Sequence, residues 1–216
     1  MSLKISKESV YSTNAFIRAA AATQGYGLDV LVDDKEWRVR RAVAKQGYGL
    51  DVLLDDKDFR VRGAVAEQGY GLDVLVHDKN SRVRAEVAKQ GYGLNILIED
   101  DDPFVRQALV KQGYRLDILV YDESWIVREA VAKQGYGLDT LVHDEDLGVR
   151  AAVAEQGYGL DILIKDANPV VRKVAIAKSE LISEIPLETT INQATARAET
   201  QKSPNLNNGK TGKDGR

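Results

Sequence analysis

A chain of 216 residues and 23.8 kDa, with 44% hydrophobic and 29% charged side chains, has an ordinary composition for a folded protein with a core. Its 30 basic and 33 acidic residues give a net charge of −3, which excludes a global basic field for nucleic acid or an anionic membrane. With no cysteine and two histidines, disulfides, thiolate metal sites, iron–sulfur clusters and cysteine nucleophiles are excluded, and little remains for a zinc site or a catalytic triad.

Residues 1–14 read as an N-terminal cap ending in Ser12-Thr13-Asn14. The opening MSLKISKESVYSTN lacks the apolar segment of a signal peptide, and no later stretch resembles a membrane span, so the expected compartment is the cytoplasm, with no membrane partner.

Residues 15–172 read as a repeat array. Tyr26, Tyr48, Tyr70, Tyr92, Tyr114, Tyr136 and Tyr158 recur at a spacing of 22, which predicts an all-α solenoid of about seven two-helix units. In each unit a first helix is marked by apolar residues at i, i+3 and i+4, as in Val39, Ala42 and Val43. Its N-cap falls in the column Glu36, Asp58, Asn80, Asp102, Ser124, Asp146 and Asn168, with Pro103 and Pro169 at the first helical position. Gly47 and its equivalents follow Gln46 as left-handed C-caps. The second glycine of the turn is replaced once, by Arg115, so this position either tolerates negative φ or strains the fifth unit. The segment Leu50-Asp51-Val52-Leu53-Leu54 predicts a short second helix, either α or 3₁₀.

Residues 173–202 read as C-terminal capping helices. Val174, Ala175, Lys178, Leu181, Ile182 and Ile185 keep helical spacing up to Pro186, and a weaker amphipathic stretch follows. Residues 203–216 have the composition of a disordered tail.

The unit VRxAVAxQGYGLDxLVxD resembles the bacterial leucine-rich repeat variant and, more distantly, HEAT-like repeats, over about residues 16–176. It departs from that family in its turn, Gln-Gly-Tyr-Gly where the family uses Asn-Pro and Pro. The resemblance implies a right-handed superhelix of alternating α and 3₁₀ helices, used as an interaction scaffold without chemistry of its own. The iron–sulfur cluster of a founding member cannot be carried over to a chain without cysteine, so no cofactor, no metal and no enzymatic activity are expected.

Two charged columns call for a structural account. An Asp at the end of each second helix (Asp34, Asp56, Asp78, Asp100, Asp122, Asp144, Asp166) opposes the helix dipole and needs a partner. The Arg column from Arg18 to Arg172 supplies one, with Asp100 and Arg106 as the expected pair. The tyrosines are expected to pack on adjacent repeats with bonded hydroxyls. His77 and His143 share a tolerant, solvent-facing column, and Glu86, standing where other units have alanine, is expected to be partly exposed or paired with Lys89.

Function is most legible where near-identical units disagree. The loops entering the first three internal helices carry Lys35, Trp37 and Arg38, then Lys57, Phe59 and Arg60, then Lys79, Ser81 and Arg82. Later loops turn acidic and apolar, with Asp101 and Phe104, Glu123, Trp125 and Ile126, and Glu145 and Gly148. Arginines in a first helical turn oppose the dipole, so Arg38, Arg60 and Arg82 are read as a cationic ridge, against the alternative that they pair with Asp34, Glu36 and their equivalents. Candidate partner-binding residues are therefore Lys35, Trp37, Arg38, Lys57, Phe59, Arg60, Arg82 and Trp125. The expected function is a non-enzymatic protein-interaction scaffold for an unidentified protein partner, an acidic protein being one candidate, and the alternative is a nucleic-acid-binding HEAT-like solenoid.

Overall fold

The computed structural model describes residues 5–184. Two helices per unit follow in strict order: α1 Ala15–Thr23, α2 Leu28–Leu31, α3 Trp37–Lys45, α4 Leu50–Leu53, α5 Phe59–Glu67, α6 Leu72–Leu75, α7 Ser81–Lys89 and α8 Leu94–Leu97. The second half repeats them: α9 Pro103–Lys111, α10 Leu116–Leu119, α11 Trp125–Lys133, α12 Leu138–Leu141, α13 Leu147–Glu155, α14 Leu160–Leu163 and α15 Pro169–Ser183. Among the described residues there is no strand, and no helix is long and apolar enough to cross a membrane. Each long helix packs on the next long helix, and each short helix on the long helices before and after it. The result is an α-solenoid of tandem repeats.

One buried set recurs in every unit. Val39, Val43 and Ala44 of α3 and Leu53 of α4 are fully buried, as are their equivalents from α5 to α14, while at the two ends Ile17 is half-buried and Ile176 exposed. A buried leucine contributes roughly 2 kcal/mol, so the seven short-helix leucines, from Leu31 to Leu163, form a continuous spine. The short helices are single α turns, not the 3₁₀ turns the resemblance implies. Leu53, for example, donates its N–H to Gly49 four residues back. The 3₁₀ helix lies instead in the N-terminal cap, at Lys7–Tyr11. There Val10, one period before Val32, already occupies the buried position beneath the first turn.

The turns explain the two glycine columns. Gly47 at φ +72° closes a Schellman motif, in which its N–H donates to Ala44 and that of Tyr48 to Val43. Gly49 also has positive φ, +60°, so the first alternative for this column is corrected: Arg115 keeps the left-handed conformation at φ +47° rather than relaxing to negative φ. A Cβ at Gly49 would lie 2.6 Å from the Val32 side chain. At Arg115 the residue in the place of Val32 is Ile98, half-buried where Val76 and Val120 are buried.

The C-terminal reading also changes. α15 runs unbroken from Pro169 to Ser183, so the boundary between array and cap at 172/173 falls inside one helix. The stop at Pro186, the second amphipathic stretch and the tail at 203–216 lie outside the described residues, as do residues 1–4.

Candidate functional site

The Arg and Asp columns meet, but one unit further along than expected. Arg106 pairs with Asp122, its Nε 2.7 Å and its Nη2 2.9 Å from the two carboxylate oxygens, while Asp100 pairs with Arg84. From Asp100, Arg106 takes only the backbone carbonyl, through Nη1 at 2.6 Å. The period explains the correction: the preceding Asp contributes its main chain, and its side chain is already held by the previous arginine. Seven such forks run from Arg18–Asp34 to Arg150–Asp166. Each Asp also accepts the N–H of the next N-cap residue, as Asp34 does from Glu36. At Asp34, Asp78 and Asp100 burial works to raise the pKa, and the facing guanidinium and backbone N–H overcome it, leaving it below the usual range. At Asp166 the Arg150 hydrogen bond is the largest influence and acts in the same direction. The ladder is structural.

On the outer edge the variable residues do assemble. Arg38 lies over the Phe16 and Trp37 rings, its guanidinium carbon 5.6 and 4.6 Å from their centroids. Arg60 lies 3.5 Å over Trp37 and 5.4 Å over Phe59, and Arg82 lies 5.6 Å over Phe59. Aromatic rings and cations thus alternate from Phe16 to Arg82 across the N-terminal turns of α1, α3, α5 and α7. The period brings them together: Trp37 and Phe59 hold the first helical position, and Phe16, Arg38, Arg60 and Arg82 the second. Side chains pointing toward the N-terminus of their own helix can therefore reach the same column of the next.

The pairing alternative holds for one arginine of three. Arg60 closes on its own N-cap, 2.6 Å from Asp58, which is held below the usual carboxylate range chiefly by that guanidinium. Among the described residues, neither Arg38 nor Arg82 has a carboxylate at ion-pair distance, since Asp34 and Asp78 are taken by Arg18 and Arg62. Beneath the stack lies a cavity of about 300 Å³ lined by Trp37, Arg41, Phe59, Gly63, Glu67 and Glu86, among others.

Lys35 and Lys57 are exposed in the loops before α3 and α5 and stand outside the stack. Trp125 is exposed on α11, well along the array from the stack. Phe16 was not foreseen as part of the edge, although its place 22 residues before Arg38 is a signal for it. The tyrosine column meets its packing expectation only in part: Tyr26 and Tyr114 are half-buried against the core, whereas Tyr48, Tyr70, Tyr92, Tyr136 and Tyr158 are exposed. Glu86 is three-quarters covered and bonded to Lys89 at 2.7 Å. His77 and His143 are exposed, and no cluster placed to hold a metal ion occurs among the described residues.

No protein-family model matches the chain, and no curated protein matches it.

Proposed function

We propose that this chain is a non-enzymatic interaction module, a solenoid of the leucine-rich-repeat-variant or HEAT-like kind acting in the cytoplasm, whose aromatic and arginine edge docks an acidic segment of a protein partner. The observation that carries this reading is the alternating stack from Phe16 to Arg82. Stacking restricts side chains that would otherwise lose rotamer freedom on binding, so the edge is organised before a partner arrives. The helix N-termini beneath it add a favourable field for carboxylates. Trp37 and Phe59, half-buried against the core, supply rigid apolar anchors typical of a protein hot spot, and the exposed Trp125 offers a separate one.

The chain's net charge of −3 favours a protein over a nucleic acid, because no broad basic field surrounds the three arginines. The test is titration with poly-glutamate and with a single-stranded oligonucleotide, following Trp fluorescence, alongside capture from the native host with mass spectrometry. Trp37→Ala is expected to weaken poly-glutamate binding about tenfold or more, a typical hot-spot loss. Tighter binding to the oligonucleotide, with a steep salt dependence abolished by changing Arg38, Arg60 and Arg82 to Gln, would establish nucleic-acid binding instead.

A further inference from the structure

The charge of one loop column reverses midway along the array. The residue before each N-cap is Thr13, then Lys35, Lys57 and Lys79, then Asp101, Glu123 and Glu145, then Ala167. Read from either end the column is neutral at its limits, and it changes sign at its centre, between α7 and α9. The Asp/Arg forks do not cancel this pattern. Arg84, Arg106 and Arg128 are already neutralised by Asp100, Asp122 and Asp144, so the second carboxylate each one touches, Asp101 at 2.9 Å, Glu123 at 3.3 Å and Glu145 at 3.4 Å, is an excess negative charge. The side chains of these three remain 87 to 93% exposed.

At that centre the contrast is sharpest. The loop entering α7 holds Lys79 beside uncharged Asn80, with Arg82 in the first turn of the helix, and the loop entering α9 holds Glu99, Asp101 and Asp102. The largest cavity described, about 620 Å³, opens between these two helices, floored by Ala85 and Ala108 and walled by Phe104, itself 60% exposed. Ser81 makes the room for it, standing where Trp37, Phe59 and Trp125 stand in other units. Charge reversal and cavity are independent features of sequence and shape, and they coincide.

We infer that this edge binds a second copy of the same chain, antiparallel, about a two-fold axis through the groove between α7 and α9. The inference rests on the interaction-module reading and names a partner for the same edge. An acidic peptide lying along the groove would meet Glu99 and Asp101, and a basic one would meet Lys79 and Arg82. The surface that satisfies both halves at the same period is this edge reversed. A two-fold sets Lys79 against Asp101 of the second copy, Lys57 against Glu123 and Lys35 against Glu145, each contact made twice, as an isologous interface requires. Phe104 of each copy then enters the groove that Ser81 leaves open in the other.

Sedimentation equilibrium of the purified full chain tests this. The wild type is expected to dimerise at low salt and to dissociate as salt rises, because the contacts are charge pairs. Lys79→Glu with Arg82→Glu, and separately Glu99→Lys with Asp101→Lys, should each be monomeric, with helical circular dichroism retained. An equimolar mixture of the two variants should restore a heterodimer, since both of its contact sets are again opposite in sign. If the second variant fails to fold, Glu123→Lys with Glu145→Lys mixed with Lys35→Glu and Lys57→Glu repeats the test on the outer pairs. A wild type monomeric at every salt concentration, variants that still dimerise, or mixtures that stay monomeric would overturn the inference. A monomeric wild type that still binds poly-glutamate through Trp37 would remove the dimer and leave the module.

Discussion

Arg106 shows how one side chain joins three segments: its own helix, the carbonyl of Asp100 before it and the carboxylate of Asp122 after it. Removing it strands a largely buried carboxylate, so Arg106→Ala is expected to destabilise by about 2 to 3 kcal/mol. In denaturant titrations Arg106→Ala and Asp122→Ala should couple by about 1 kcal/mol or more, while Arg106→Ala and Asp100→Ala should be additive within about 0.5 kcal/mol. Reversed couplings would restore the pairing within one unit. The second glycine column gives a contrasting pair. Gly49→Ala introduces a Cβ 2.6 Å from Val32 in a left-handed backbone and should cost about 2 kcal/mol or more. Arg115→Gly removes the one non-glycine residue with positive φ among the described residues and should leave the thermal midpoint unchanged or raise it by up to about 3 °C.

At the scale of the element, each long helix begins with a residue that opposes or ignores its dipole, and in six of the eight the cap compensates. Asn14, Asp58, Asn80, Asp102, Asp146 and Asn168 accept the N–H two residues on, whereas Glu36 and Ser124 make no such bond. From sequence alone, changing Arg38, Arg60 and Arg82 to Gln would leave stability unchanged or slightly raised. The stack and the Asp58–Arg60 pair alter that expectation. Thermal melts should now show a small decrease for the triple variant, with the largest share from Arg60, because exposed cation–π contacts stabilise weakly. An increase in midpoint would mean that the dipole penalty outweighs the stacking.

For the whole molecule, contacts run only between neighbouring units, so deleting residues 106–127 should leave a folded, shorter array with unchanged helicity per residue. The junction places Arg128 where Arg106 stood and keeps the period. A deletion that abolished helical circular dichroism would refute the nearest-neighbour description. Acid stability follows from the ladder. Asp34, Asp78, Asp100 and Asp166 have folded pKa values below their unfolded ones, so they contribute stability above the unfolded value, about pH 4. That contribution is lost as pH falls through the folded values. Denaturant midpoints should therefore be flat from about pH 5 to 8 and fall steeply below about pH 4.

The caps, the left-handed glycine after Gln46 and the apolar face of each helix were legible in the chain, because each depends on residues within a turn or two of one another, and the period of 22 was legible because near-identical units repeat it. The columns Trp37/Phe59 and Arg38/Arg60/Arg82 were legible too, as positions where identical scaffolds disagree. What the sequence could not decide was how far along the array each side chain reaches. Whether Arg106 meets Asp100 or Asp122, and whether Arg38 turns toward Glu36 or onto Phe16, depends on the rise and tilt from one unit to the next. Those quantities are set by how Val39, Val43 and Leu53 of one unit seat against the next, a packing geometry that has no counterpart in local spacing.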